Sequence, residues 1–100
     1  MITDKEKKNI NRFYEAVLSL KSKDDCELFF EDIATIKELL DLSSRLEVAK
    51  MLDDGKVFNE ISKETGASSA TISRVNKCLH YGPGGYRLVL DKIKNEEAEL

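Results

Sequence analysis

The stretch SKETGASSATISRVNKCLH, residues 62–80, carries the pattern that decides the fold. A single glycine, Gly66, interrupts it and is followed by a group of small hydroxyl residues. Glycine readily takes the left-handed backbone conformation that turns a chain after a helix, and serine is a favoured N-cap of the next helix. The stretch therefore predicts two helices joined by a tight turn at Gly66, with Ser68 or Ser69 capping the second.

Apolar residues on both sides of this turn have helical spacing. The inward residues are Val57, Phe58 and Ile61 before the turn, and Ile72, Val75 and Leu79 after it. Ser62, four residues before the glycine, is small enough to let two helices approach each other. The pattern fits a helix-turn-helix, in which two helices cross at about 90–120°.

The outward side of the second helix carries short, polar or cationic side chains. A helix that enters the major groove, about 12 Å wide, needs small residues at its leading end, and an arginine there can bind guanine with two hydrogen bonds. Free amides at the helix start also suit a phosphate. The pattern predicts a DNA interface, with Arg74 as the base or phosphate contact; an αα-hairpin without a DNA role is the alternative. The candidate residues are Lys63, Ser68, Ser69, Ala70, Thr71, Ser73, Arg74 and Lys77.

The composition of the whole chain is that of a globular protein. The 100 residues are 35% charged and 41% apolar, with one proline and five glycines, and helix formers dominate. Apolar runs never reach the roughly 18 residues that cross a bilayer, and the start MITDKEKKN lacks the apolar centre of a signal peptide. We expect a single-domain cytoplasmic protein with no membrane partner.

Charge is unevenly distributed along the chain. The net formal charge is −3, but residues 1–55 carry 9 Lys and Arg against 13 Asp and Glu, whereas residues 56–94 carry 7 against 3. The excess of positive charge therefore lies in the part that contains the predicted helix-turn-helix. An anionic partner is favoured slightly, because windows of any protein vary by a few charges.

Three strongly apolar helices are predicted in the first 55 residues. Capping boxes begin the first at Thr3 and Glu6 and the third at Thr35 and Glu38, and the second follows the polar segment KSKDD. Ser43 and Ser44 lie in the middle of the third predicted helix, so this segment forms either one long helix or two abutting helices. So much apolar surface in so short a chain suggests a core completed by a second copy. The alternative is a monomer that is closed by its C-terminal helices.

The remaining features indicate structure rather than catalysis. GPGG, residues 82–85, lacks the Gly-Lys-Ser/Thr of a phosphate loop and predicts a turn into a last helix. The single histidine, His80, suits a helix end and has no partner for a triad or metal site. Cys26 and Cys78 form no metal motif, and we expect reduced thiols in or near the core. We predict no catalytic residue, no cofactor and no metal.

The segments EISKETGASSATISRVNKCLHYGPGGYRLVLDKI, residues 60–93, and SSRLEVAKMLDDG, residues 43–55, resemble the Trp repressor-like superfamily, and within it the YerC/YecD group. The most specific piece is GASSATISR, and the resemblance extends over nearly the whole chain. It implies an all-α fold of about six helices, an intertwined dimer, and paired helix-turn-helix units reading a palindromic operator about one DNA turn apart. The implied division is a helical dimerisation core over residues 1–55, the helix-turn-helix over 56–80 and a C-terminal helix over 81–100.

The resemblance also implies an effector pocket, which this chain alters. The family holds tryptophan between two arginines, and Arg74 matches the second. An ungapped match places Ser44 at the first, with Arg45 one position along and so about 100° round the helix. Val75 replaces a glycine and would fill the pocket. We expect tryptophan not to be the ligand, and the existence of another small-molecule corepressor stays open.

These observations predict a sequence-specific DNA-binding transcriptional regulator, a repressor, that reads operator DNA through residues 57–80. The alternative is a helix-turn-helix interaction module that acts on the transcription machinery without strong DNA binding. The negative overall charge favours that alternative modestly, because nonspecific DNA affinity grows with the number of phosphates neutralised.

Overall fold

The described residues, 1–99, form six helices and no strand in a computed structural model. The side chains are described for residues 1–97. The helices are α1 Asp4–Leu18, α2 Lys23–Ile33, α3 Ile36–Asp53, α4 Phe58–Thr65, α5 Ser69–Tyr81 and α6 Gly85–Glu99. The predicted all-α class with about six helices is confirmed. Leu100, the end of the predicted C-terminal helix, lies outside the described residues.

The chain divides into two compact units, Met1–Leu39 and the part that starts at Leu40. The first unit contains α1 and α2, which have no buried residue. The predicted capping box at Thr3 is confirmed, because its hydroxyl accepts from the Glu6 amide and the Glu6 carboxylate accepts from the Thr3 amide. Ser22 caps α2 by accepting from the Asp25 amide, so α2 begins within the segment that we expected to precede it.

The third helix is continuous from Ile36 to Asp53, which resolves the alternative of two abutting helices. Its predicted capping box is present: the Thr35 amide donates to the Glu38 carboxylate at 2.9 Å, and the Glu38 amide donates to the Thr35 hydroxyl at 3.1 Å. Ser43, in the middle of the helix, donates to the Leu40 carbonyl at 3.0 Å and does not break it.

The buried residues all belong to the second unit and join four helices. They are Val48, Ala49 and Met51 of α3, Ile61 of α4, Ile72 and Val75 of α5, and Leu90 of α6. Burial of each large aliphatic side chain contributes about 1.5–3 kcal/mol. α5 packs against both α4 and α6, so the predicted second helix of the motif lies at the centre of this core.

A cluster of charged side chains joins the end of α3 to α6. The Asp53 carboxylate accepts from Arg87 at 2.6 Å and from Lys94 at 2.8 Å, and its side chain is only 12% exposed. These hydrogen bonds, first from Arg87 and then from Lys94, hold the pKa of Asp53 well below its ordinary value. Arg87 also contacts Asp91, four residues along α6. The cluster ties the end of α3 to α6.

Two details differ from the sequence predictions. Val57 and Phe58 are 65% and 39% exposed, so of the predicted inward face of α4 only Ile61 is buried. Cys26 and Cys78 are free thiols, and both are exposed rather than in or near the core. α1 and α2 bury no residue, which leaves Cys26 uncovered, and α5 turns Ile72 and Val75, not Cys78, toward its neighbours.

The described residues contain no helix that is both long and apolar enough to span a bilayer. Within the same part of the chain, His, Cys, Asp and Glu side chains form no group of three or more suited to a metal ion.

Candidate nucleic-acid interface

The turn between α4 and α5 is built around Gly66, as predicted. Gly66 has φ of 73° in the left-handed region, and its amide donates to the Ser62 carbonyl at 2.9 Å. A Cβ added there would have open space around it, so the backbone conformation alone favours glycine. The turn ends α4 and redirects the chain into α5.

Hydroxyl groups of α4 reach forward to the residue after the glycine. Ser62 Oγ donates to the Ala67 carbonyl at 3.1 Å, and Thr65 Oγ1 accepts from the Ala67 amide at 3.1 Å. Thr65 Oγ1 also donates to the Ile61 carbonyl at 2.8 Å. The Ala67 side chain packs against the core. The sequence predicts only a steric role for Ser62 and no role for Thr65, whereas both hydroxyls bond to the backbone of Ala67.

Ser68 is the N-cap of α5. Its backbone is extended, its hydroxyl accepts from the Thr71 amide at 3.2 Å, and the two hydroxyls lie 3.1 Å apart. This resolves the choice between Ser68 and Ser69, because Ser69 is the first residue of the helix. The leading end of α5 is thus capped by a short side chain.

The structure places most of the candidate DNA contacts on one exposed surface. Ile72 and Val75 are buried, so the helix presents the intervening residues outward. Thr71 is half-buried, and Lys63 is exposed on α4. The exposed candidates on α5 and its cap are Ser68, Ser69, Ala70, Ser73, Arg74 and Lys77.

Two depressions adjoin the same helix. The larger, an open groove of about 790 Å³, runs between residues 40–47 of α3 and residues 64–71, and it is lined by both Ser44 and Arg45. The smaller, about 250 Å³, is lined by Arg45, Thr71, Arg74, Val75, Cys78 and Tyr86. Thr71 borders both.

The smaller cavity brings three of the four candidate effector residues together. Arg45 and Arg74, rather than Ser44 and Arg74, line it together, and buried Val75 borders it. Arg45 follows Ser44 by one position in α3 and so lies about 100° round the helix from it. Cys78 and Tyr86 also line the cavity and were missed. Cys78 could have been found, since it follows Arg74 by four residues on α5 and so shares its face.

Comparison with known proteins supports the interpretation of α4 and α5. The family model described as Trp repressor protein matches residues 8–94. The uncharacterized protein YerC of Bacillus subtilis (strain 168) is 47% identical over 92 residues, which cover 92% of this chain and 88% of YerC.

Two solved structures have the same fold. A TrpR-like protein from Eubacterium eligens ATCC 27750 matches with a TM-score of 0.84 and 47% identity, covering 87% of this chain and 90% of that protein. A protein from Staphylococcus aureus assigned as a Trp repressor matches with a TM-score of 0.84 and 38% identity, covering 93% of this chain and 96% of the other. The chain belongs to the Trp repressor family, and α4 and α5 form the helix-turn-helix of that regulator fold.

Proposed function

We propose that this protein is a sequence-specific DNA-binding transcriptional repressor that reads operator DNA with α5, its recognition helix. One observation carries the proposal. The first turn of α5 exposes small residues, and the next turns expose the cations Arg74 and Lys77. The opposite side of the helix is buried. Small side chains let the helix backbone approach base edges, and an arginine can bind guanine with two hydrogen bonds. Membership of a repressor family supports a regulatory role rather than catalysis.

The first test is binding selection followed by a salt titration. The purified protein, without added ligand, is used to select duplexes from a randomised library, and the best duplex is titrated at several salt concentrations. Affinity should fall steeply with salt, and Lys63→Ala or Lys77→Ala should each reduce the slope by about 1 if the lysine meets a phosphate. Lys8→Ala, on α1, is the matched control and should leave the slope unchanged.

The opposite result favours an interaction module that acts on the transcription machinery. If no duplex is enriched and residual binding has no salt slope, α5 does not read DNA. The net charge of −3 favours this second candidate, because a negatively charged protein is repelled by the phosphates of DNA.

We propose that two copies form the active species. The first unit supports this, because α1 and α2 bury nothing and leave large apolar side chains exposed. These side chains are Ile10, Phe13, Tyr14, Leu18, Leu28 and Ile33. Contiguous apolar surface of this kind marks an interface. A dimer would present two recognition helices to a palindromic operator, and operator binding would place the protein in the cytoplasm.

The small cavity is the proposed effector pocket. Two guanidinium groups, of Arg45 and Arg74, suit a ligand with an anionic group. Val75 borders the cavity and would oppose an indole ring, so L-tryptophan should change the affinity for the selected duplex by less than about twofold. A larger change would show that the pocket accepts tryptophan despite Val75.

A further inference from the structure

We infer that Ser62 and Thr65 are positioning residues for the recognition helix, and that their hydroxyls fix the direction in which α5 leaves the turn. The inference rests on the proposed function only in what it says about DNA. Its structural part concerns one residue, Ala67, which lies between the glycine of the turn and the N-cap of α5.

Both backbone polar groups of Ala67 are held by side chains of the preceding helix. Its carbonyl accepts from Ser62 Oγ and its amide donates to Thr65 Oγ1, each at 3.1 Å. Within the described chain, no backbone–backbone hydrogen bond involves Ala67. These two hydroxyls therefore satisfy the backbone groups of Ala67, which in a helix would bond to other backbone groups.

The Thr65 hydroxyl and the backbone of Ser62 are themselves held in place. Thr65 Oγ1 donates to the Ile61 carbonyl at 2.8 Å, one turn back in α4, and Ile61 is fully buried. The Ser62 carbonyl accepts the Gly66 amide at 2.9 Å, so the backbone of Ser62 is tied to the turn as well. Through these hydrogen bonds, the position of Ala67 is fixed relative to the buried face of α4.

Ala67 in turn determines where α5 begins. Its side chain packs against the core, and the next residue, Ser68, caps the helix. A rotation about the backbone of Ala67 would swing the whole exposed face of α5, including Arg74 near its middle. Because base contacts require correct geometry and phosphate contacts tolerate more variation, loosening this turn should lower sequence discrimination more than general DNA affinity.

The test uses Thr65→Val, which keeps the shape and the helix propensity but removes both hydrogen bonds, and Ser62→Ala. Thr65→Ser restores the hydroxyl. Ser19→Ala is the matched control, because Ser19 Oγ also donates to a backbone carbonyl, that of Ala16, at the end of α1. All variants are full-length and are compared for binding to the selected duplex and to a scrambled duplex.

Thr65→Val and Ser62→Ala should each weaken binding to the selected duplex by about twofold to tenfold, the range of one net hydrogen bond, and the double variant should weaken it further. Binding to the scrambled duplex should change by less than about twofold. Thr65→Ser and Ser19→Ala should match the wild type. Equal losses on both duplexes, or no loss in the double variant, would overturn the positioning role.

A second readout needs no DNA. Hydrogen exchange of the Ala67 amide should be faster in Thr65→Val than in wild type and restored in Thr65→Ser, relative to amides of the α5 interior. Unchanged exchange in Thr65→Val would overturn the structural part of the inference. If the wild type prefers no duplex, the proposed function fails, and the exchange result still decides whether the hydroxyls hold the turn.

Discussion

At the scale of single residues, Gly66 shows how one backbone conformation places the motif. Its φ of 73° is costly for any residue with a Cβ, whereas the space around it is open. Gly66→Ala should therefore lower the free energy of unfolding by about 1–2 kcal/mol through backbone strain alone. Urea denaturation of the wild type and of Gly66→Ala measures this difference in the free energy of unfolding.

Gly85 offers a matched control for that substitution. It is the first residue of α6, it has no positive φ, and a Cβ there would also meet open space. Gly85→Ala should be neutral or slightly stabilising, because alanine favours helix over glycine. Equal destabilisation by the two substitutions would contradict the account of the turn.

Residues whose roles depend on near neighbours could be predicted from the sequence. The capping boxes at Thr3 and Thr35 and the turn at Gly66 are set by side chains within a few positions, and all three were predicted. Exposure was harder, because it depends on which elements cover a side chain. Cys26 and Phe58 have helical apolar spacing, yet both are exposed.

At the scale of elements, the contact between α3 and α6 depends on charges that are far apart in sequence. Asp53 is 34 residues from Arg87 and 41 from Lys94. No local pattern indicates such a pair, so this cluster was not predicted. The same limit left open whether Ser44 or Arg45 lines a cavity with Arg74, because that depends on how α3 lies beside α5.

Replacement of Asp53 should weaken the tie between these helices in a pH-dependent way. Asp53→Asn should lower the free energy of unfolding at pH 7 by about 1–2 kcal/mol, because Arg87 and Lys94 are half exposed and their pairing is partly screened. The pKa of Asp53 is lowered in the folded state. Its contribution is therefore fully present above the unfolded value of about 4 and is lost as the pH falls below it.

Urea titrations of wild type and Asp53→Asn between pH 7 and pH 2 measure this difference. The two curves should converge on acidification. Asp54→Asn, at the next position, is the control for loss of one negative charge and should be near neutral. A difference that stays constant down to pH 2 would show that Asp53 stabilises the protein by some means other than its charge.

At the scale of the whole molecule, the two units differ in what they bury. The second unit contains every buried residue of the described chain, whereas the first exposes apolar side chains along α1 and α2. The proposed dimer would cover that surface. An apolar pattern in the sequence indicates that a face needs cover, but it does not say which chain supplies it.

Leu18→Glu tests the proposed dimer. Leu18 is 83% exposed in the single chain, so a charge there should cost little unless a second copy covers it. In sedimentation at micromolar concentration the wild type should run at twice the chain mass of 11.3 kDa, and Leu18→Glu should shift toward the single chain. Lys8→Glu, on the same helix but away from the apolar face, should remain dimeric. Wild-type protein that sediments only at 11.3 kDa would refute the dimer.

The central claim is that α5 reads DNA, and titration of the selected duplex with wild type and Arg74→Ala tests it most directly. Arg12→Ala, an exposed arginine on α1, is the control for loss of a positive charge. If Arg74 binds a base or phosphate, Arg74→Ala should weaken binding by about 1–3 kcal/mol, and Arg12→Ala should leave it unchanged. Equal affinity of wild type and Arg74→Ala for the selected duplex would contradict the account.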